Sequence, residues 1–341
     1  MFELQYSLKK QTIDYKFLTL FFGLKHVSFV HLHTHSEYSL LDGANRISDL
    51  VHRAKEYEMP GLALTDHGCL FGAWQFHKVA TAEGIKPIIG MEAYVANGRR
   101  QDRSKPKIGE RSYYHLILLA RDMEGYHNLI KLSSIGYTEG FYRKPRVDHE
   151  VLAKHSSGLI VSSACLAGEI AQSLMKDDWD QARETANWYG EVFENRYYLE
   201  VQAHESEGQP ELNGKIFTLA DELGLPVVAT NDAHFLNCGD HEAHDVLLCI
   251  GLGKDRKDQG RMHYDEGLYF KNSLEIAECF PGRNDVLENT LDIADQVNLS
   301  FSKTYHLPAF PIPDDQSDEN DYLVHLSKKG CLLYTSDAAD E

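Results

Sequence analysis

The sequence predicts an α/β protein organised around a closed, mostly parallel sheet, and three observations predict it. Short apolar runs of β type alternate with segments of helical spacing over one span of roughly 250 residues. The number of such units suits a closed barrel better than an open sheet. Residue types that bind metal recur at the ends of successive apolar runs, which in βα barrels is the end that carries chemistry.

The elements follow in order from the pattern. Residues 29–32 form a short strand, 47–57 have helical spacing, and 62–65 are a buried-type strand. A helix is predicted over 70–82, a strand over 87–95, and a polar, basic loop containing glycine and proline over 97–112. Residues 115–119 then read as a strand and 123–136 as a helix. Further strands are predicted at 159–162, 197–201 and 227–230, separated by helices near 179–194 and 211–223.

The two ends read differently. Residues 1–28 precede the abrupt start of the pattern and are expected to be an extension, either an extra strand or helix or, the favoured reading, sequence translated from a wrong start codon. Their apolar stretch 17–24 lacks the small-residue cleavage site of a signal peptide. No apolar run reaches the roughly 20 residues that cross a membrane, so a cytoplasmic protein without membrane partners is expected. A barrel domain is assigned to 29–300, and a linker with a first helix to 301–329. The segment 330–341 matches nothing before it and is expected to be a non-native tail.

The six cysteines are scattered without a C-x-x-C pair, which argues against a disulfide framework or a zinc ribbon and fits a reducing compartment. The net charge of −18 is the wrong sign for a module that simply coats nucleic acid. Contact with DNA would need a local patch, and some carboxylates are expected to be metal ligands whose charge bound cations offset.

The histidines decide the case. In His31-Leu-His33-Thr-His35, a strand turns His33 and His35 to one face, where both can reach one cation. Asp42, in a turn with Gly43, is placed to close that site. After the run 61–64 comes Thr65-Asp66-His67-Gly68; His67 is assigned as ligand and Asp66 as the partner that orients a ligand. Glu92 is an acid inside an apolar run, and burying it costs several kcal/mol unless it is paired or metal-bound. His115 opens a strand, Cys165 follows one, and Asp232 and His234 repeat the i, i+2 geometry. Taken singly, a strand-end histidine is more often a hydrogen-bonded core residue, and Cys165 a small buried hydrophobe. Their recurrence in this order is what points to a metal site.

These stretches, FVHLHTHSEYSLLDG, LALTDHG, GMEAYV, YYHLILLA, SSACLAGEI and ATNDAHF, resemble the successive motifs of the PHP (polymerase and histidinol phosphatase) family, and within it the polymerase III alpha branch. The resemblance spans about residues 29–325. It implies a distorted seven-unit βα (TIM-like) barrel holding three divalent metal ions: zinc, manganese or iron. The implied ligands are His33, His35, Asp42, His67, Glu92, His115, Cys165, Asp232 and His234, with Glu92, Asp232 and His234 expected to carry catalysis. The implied activity is metal-dependent phosphoester hydrolysis, with a DNA 3′ end as substrate and 3′–5′ exonuclease as reaction. Implied partners are the rest of the polymerase III holoenzyme and its proofreading exonuclease subunit. The parent would be a DNA-directed DNA polymerase whose palm, fingers and clamp-binding tail lie beyond this chain, so this chain is expected not to extend a primer. The alternatives are a free-standing phosphatase of a small metabolite, such as histidinol phosphate, and a structural module that docks a separate exonuclease. The segment 303–330 resembles the passage into a polymerase region, which argues against the first. Nine intact ligand positions argue against the second, although a metal cluster can also serve folding alone.

Two further patches are singled out. Tyr142, Arg143, Lys144 and Arg146 form a basic loop, of which Lys144 and Arg146 are assigned to phosphate or DNA. His204 is assigned to the pocket lining. His241 and His244, on a helix with Asp240, Glu242 and Asp245, read as a solvated face rather than a metal site.

Overall fold

The structure is a computed structural model and describes residues 28–337, apart from 107, 108, 303, 305–307 and 309. The expected extension 1–28 therefore lies outside the described residues, save for Ser28. The chain divides into two compact units, with the break after Ser300.

In the first unit, α1 (Ile47–Glu56) leads to β1 (Gly61–Leu64), and α2 (Ala73–Glu83) to β2 (Lys86–Ala96). Strand β3 (Tyr113–Ala120) follows β2 with no helix between them; then come α3 (Met123–Thr138), β4 (Arg146–Val147), α4 (His149–Lys154) and β5 (Leu159–Ser162). Helices α5 (Glu169–Met175) and α6 (Trp179–Phe193) precede β6 (Tyr197–Gln202), α7 (Gln209–Leu223) precedes β7 (Val227–Thr230), and α8 (His241–Leu252), α9 (Ser273–Cys279) and α10 (Asp285–Gln296) complete the unit. Local chemistry sets several starts. Asp122, Asp148 and Asp178 each accept a backbone N–H at the first turn of α3, α4 and α6, and Asn272 with Glu275 forms a capping box on α9.

The strand order is β1-β2-β3-β5-β6-β7, with β4 beside β2. The pairs β1–β2, β5–β6 and β6–β7 are parallel, but β3 runs antiparallel to both β2 and β5. Four of the six strand pairs, β2–β4 included, are parallel, so the sheet is mostly parallel as expected; the reversed β3 was not expected. A parallel neighbour needs a crossover, and the loop between β2 and β3 supplies none. The expected strand at 29–32 is not a regular strand either. Its segment still bonds on both sides: Ala63 donates to the His31 carbonyl, Thr65 to that of Thr34, and His35 to that of Ala233.

The sheet curls, and the side-chain alternation records it. Leu62, Met91, Leu118, Val161, Leu199 and Val227 face a large core shared with the helices. Their neighbours Ala63, Ile88, Ile117, Ile160, Tyr198 and Val228 meet in a second, smaller cluster on the concave side. Residues from six strands can share one small cluster only if the sheet bends around it. Ile293, Ala294 and Val297, at the end of α10, close that cluster. There Thr290 accepts from the Val30 N–H and Asn289 donates to the Val227 carbonyl, so α10 sits at the end where β7 begins.

The second unit contains α11 (Glu319–Asp337). The helix continues through Gly330 to Asp337, into the segment expected to be a foreign tail, and leaves Leu323, Leu332 and Leu333 exposed. Among the described residues no helix is long and apolar enough to cross a membrane.

Ile117 is fully buried in the concave cluster. Ile117→Ala should destabilise the first unit by about 2–4 kcal/mol in chemical denaturation, through the cavity it leaves. The metal content of the folded fraction should not change.

Candidate metal centre

The nine sequence-predicted ligands lie at one mouth of the curled sheet, opposite α10. Each arrives by a different local device. His33 and His35 stand on the segment bonded to β1 and to Ala233. Asp42 is held by a tight turn in which Asp42 and Gly43 both donate to the Ser39 carbonyl. A Cβ on Gly43 would collide with the Ser36 carbonyl, so only glycine fits beside Asp42. His67 follows β1 and forms a bridge with Glu92 in β2. Gly68 has φ +62 and lies where a Cβ would meet the Pro145 and Tyr94 rings, which explains the glycine after His67. His115 is the third residue of β3, opposite Tyr94, Cys165 sits in the turn after β5, and Asp232 and His234 follow β7.

Glu92 is the hub. Its Oε1 lies 2.8 Å from His115 Nδ1, 3.4 Å from His33 Nε2 and 3.7 Å from the Cys165 thiol. Its Oε2 lies 2.6 Å from His67 Nδ1 and 3.5 Å from His35 Nε2. Asp232 Oδ1 is 3.1 Å from His33 Nε2 and 3.2 Å from His35 Nε2. Asp42 reaches His67 Nε2 at 2.8 Å and His234 Nε2 at 3.9 Å. Three overlapping groups have donor atoms mutually within 4.8 Å: His35, His67 and His234; His33, His35 and Glu92; His67, Glu92 and His115.

The hydrogen bonds behind the ligands fix which nitrogen faces the cluster. The Nδ1–H of His33 donates to Glu200, that of His35 to Ser39 Oγ, and that of His234 to the Asp232 carbonyl. In the neutral ring each Nε2 then carries a lone pair directed at the cluster, and none of the three Nε2 atoms has a hydrogen-bond partner; without a cation, Asp232, Glu200 and Glu92 outweigh burial and favour a proton on His33. Glu92 Oε2, Asp42 Oδ1 and Asp232 Oδ1 are likewise buried without one. Buried polar atoms are normally paired. Six orphaned acceptors around one point have the chemistry of a cation site, and the residues present fit one.

The charges agree with this. Burial alone would lower the pKa of His67, but Glu92 and Asp42 outweigh it and raise it to about 10. Burial, reinforced by charge on His67 and His234, lowers His35 to about 3. Burial would raise Glu92 and Asp232, yet the surrounding imidazoles hold both well below the usual carboxylate range. Burial, with Glu92 and Asp232 nearby, pushes the Cys165 thiol far up. A cation would reverse that last shift.

The Asp66 carboxylate bonds none of the nine, although the residue's backbone carbonyl accepts from the Glu92 N–H. It accepts from the Ser36 N–H and from the Ser36 and Ser39 hydroxyls, at 2.7, 2.8 and 2.7 Å, and so holds Ser39 against His35. Glu200 was not among the expected residues, although an acid in the apolar run Tyr197–Gln202 is the signal that exposed Glu92. It is fully buried, binds His33, and accepts from Thr230 Oγ1 at 2.6 Å. Tyr264 was also missed and carries no motif. Its hydroxyl bonds Asp42, and its ring lies 4.7 Å edge-on to His234.

Three peripheral expectations change. Arg146 is buried, and its guanidinium donates to the carbonyls of Gly140, Arg100 and Asp102, which leaves it no face for a phosphate. Lys144 remains half-buried, its ammonium 5.1 Å from the Tyr94 ring centroid. His204 is buried, bonds Gln202, and lines a cavity of about 300 Å³ with Phe217 and Cys279, outside the three donor groups. His244 is not on a solvated face: it is 1 % exposed, and its Nε2–H donates to the Asp42 carbonyl at 2.6 Å. His241 likewise bonds the Tyr264 carbonyl.

The fold and this donor set define an α/β protein with candidate metal-binding groups of histidines and carboxylates. The chain belongs to the PHP domain family, whose pattern matches residues 31–204, just over half its length. It is 43% identical over 306 residues to the DNA polymerase III subunit alpha of Borreliella burgdorferi, covering 89% of this chain and 26% of that one. It is 45% identical over 307 residues to the subunit of the same name from Treponema pallidum, with the same coverage. The chain is thus homologous to the N-terminal region of these subunits and spans about a quarter of their length. Among solved structures, it overlaps a Bacteroides vulgatus two-domain protein containing a predicted PHP-like metal-dependent phosphoesterase, with a TM-score of 0.40, 15% identity, and 77% and 69% of the two chains covered. An amidohydrolase from Chromobacterium violaceum overlaps with a TM-score of 0.38 and 16% identity, over 60% and 87% of the chains.

Two outcomes are expected. In chelator, the melting temperature should peak near pH 7. Unfolded histidine takes its proton near pH 6.5, whereas His31, lowered by burial to about 4, and His35 do not, so stability falls below that pH. His67 contributes fully below pH 6.5, and its contribution is lost as pH rises to about 10. A steady rise from pH 7 to 9.5 in scanning fluorimetry would contradict the assignment. Separately, Asp66→Ala should weaken metal retention about 10–100-fold in chelator competition, through the loosened Ser39–His35 contact.

Proposed function

We propose that this chain is the phosphoesterase module of a replicative DNA polymerase alpha subunit, hydrolysing the phosphodiester at a DNA 3′ end. The observation that carries the reading is the set of Nε2 lone pairs of His33, His35 and His234, held by hydrogen bonds behind each ring and facing orphaned carboxylate oxygens. Under this reading the nine residues His33, His35, Asp42, His67, Glu92, His115, Cys165, Asp232 and His234 would hold three divalent ions of zinc, manganese or iron. Bound there, the ions would neutralise phosphate oxygens and acidify an attacking water.

The chain's own residues do the rest. Glu92 presents one oxygen to His33, His115 and Cys165 and the other to His35 and His67, which ties the two halves of the site at a fixed spacing. Asp232 has φ +50, an uncommon backbone state for an aspartate, and this aims Oδ1 at both His33 and His35. Lys144, at the rim beside Tyr94, supplies positive charge for a phosphate. The segment 29–36, bonded to β1 and to Ala233, would be the seventh stave of the distorted barrel. The rest of the polymerase III holoenzyme, including its proofreading exonuclease subunit, is the proposed setting, in the cytoplasm.

Loaded with manganese or zinc, the chain should shorten a labelled oligonucleotide from its 3′ end and cleave bis(p-nitrophenyl) phosphate. Asp232→Asn should lower both rates by about a hundredfold or more, since a ligand should matter more than the groups that orient it. Equal rates for variant and parent would place the activity elsewhere.

A further inference from the structure

We infer that Phe71, Tyr137 and Phe141, with the basic rim beside them, form a stacking track for an unpaired nucleic-acid strand entering the mouth of the metal centre. What happens at the end of that track rests on the proposed phosphoesterase reading; the binding itself does not.

Three large rings stand in the open: Phe71 is 62 % exposed, Tyr137 42 % and Phe141 48 %. They come from different places in the chain and still form a row. Phe71 lies in the loop after His67, Tyr137 in the last turn of α3, and Phe141 just beyond it. Ring centroids are 6.5 Å apart for Phe71 and Tyr137, and 6.2 Å for Tyr137 and Phe141. Single exposed rings are ordinary; a contiguous row marks a binding face.

The row is tied to the metal centre. Ser133 in α3 donates to the Gly68 carbonyl, and Gly68 packs against Pro145 and Tyr94. Tyr94 stacks on His67 with centroids 5.8 Å apart and meets His115 edge-on at 5.3 Å. Lys144 stands over the same Tyr94 ring.

Charge selects the occupant. The chain carries −18, yet residues 97–112 hold six Lys or Arg against two acidic residues, and of the six Arg100 is taken up by Glu139, Asp148 and Glu150. Arg146 pins this loop to the 140–146 turn through the Arg100 and Asp102 carbonyls. In that turn Arg143 is exposed, with φ +65. Exposed rings beside a local basic rim match a strand of phosphates with free base faces. A duplex hides those faces in its own stack. An apolar protein partner would leave the cations unmatched.

The test uses the full 341-residue chain, a fluorescent phosphorothioate oligothymidylate of about 12 nucleotides, chelator, and anisotropy. The single strand should bind more tightly than a blunt duplex of equal length. Phe71→Ala, Tyr137→Ala and Phe141→Ala should each weaken it roughly fivefold or more, the factor that corresponds to about 1 kcal/mol. Phe141→Tyr should retain binding. Arg143→Ala with Lys144→Ala should flatten the slope of log affinity against log salt by about 0.7 per lost contact. In the unaltered chain, 5-iodouracil placed in the strand should photocrosslink to these rings, which guards against a misfolded variant. Equal affinity for duplex, parent-like binding after all three alanines, or crosslinks confined to other surfaces would overturn the track. So would loss of self-association in the ring variants with DNA binding intact, since the row would then be a protein interface. Hydrolysis of bis(p-nitrophenyl) phosphate by the metal-loaded chain is read separately, so failure of the phosphoesterase reading leaves the binding result standing, and the reverse.

Discussion

A carboxylate that is 1 % exposed and surrounded by four imidazoles is the constraint on which the rest of this molecule turns. Alone in that position, Glu92 would cost several kcal/mol of desolvation and would neutralise itself by taking a proton. It does the opposite and stays ionised, because histidines drawn from three separate segments of chain converge on it. Those histidines have limited freedom of their own. His33 is held from behind by Glu200, itself buried against Thr230, and His35 by Ser39, itself fixed by Asp66. The polar interior is therefore a connected network. Removing one member leaves charges in low dielectric without partners, which is the costly way to disturb a buried ion cluster.

The sheet makes that network possible by separating two tasks. Alternate residues of each strand feed either the outer core with the helices or the small concave cluster sealed by α10. The concave space is thus filled with apolar side chains at the end where β7 begins and with ligands at the other. Three of the seven non-glycine residues with positive φ among the described residues, Leu41, Ala164 and Asp232, lie at the polar mouth. Each lies in a turn tied down by backbone bonds, such as Gly43 to the Ser39 carbonyl and Gly168 to that of Cys165. Such turns can hold conformations that isolated residues avoid.

Much of this was legible in the sequence, and the exceptions have physical reasons. Strands 159–162 and 227–230 are fully buried apolar runs, and their bounds match the structure. The i, i+2 spacing of His33 and His35 does place both at Asp232. The direction of β3 was missed although its signal was present: the run 97–112 between two strands reads as a loop, and without a crossover helix the next strand reverses. Helix α2 begins at Ala73 rather than near residue 70, because the residues after His67 are used to turn the chain over the mouth. Arg146 sits in a run that reads as one basic patch. Burial decides that it serves backbone carbonyls while Arg143 faces solvent, and sequence spacing carries no information about that. Tyr264 reaches Asp42 from a loop more than two hundred residues away, a contact no local pattern encodes.

A cluster of this kind can hold a fold together without turning anything over, and the two roles differ in how a site meets solvent. Structural metal sites are closed by protein ligands; catalytic ones keep an open position. Here the candidate ligands grade from sealed to open. His33, His35 and Glu92 have side chains at most 1 % exposed, whereas Asp42, His115 and His67 reach 18, 16 and 11 %. The inner members are shut off by Glu200 and the strands, while the outer members form an edge beside Lys144 and Tyr94. A scaffold has no need of that asymmetry, because every exposed ligand weakens the grip on a cation by admitting water. A hydrolytic site requires it, since both the phosphate and the attacking water must enter from one side. The gradient therefore leaves an otherwise sealed cluster with one open edge, on the side of Asp42, His67 and His115.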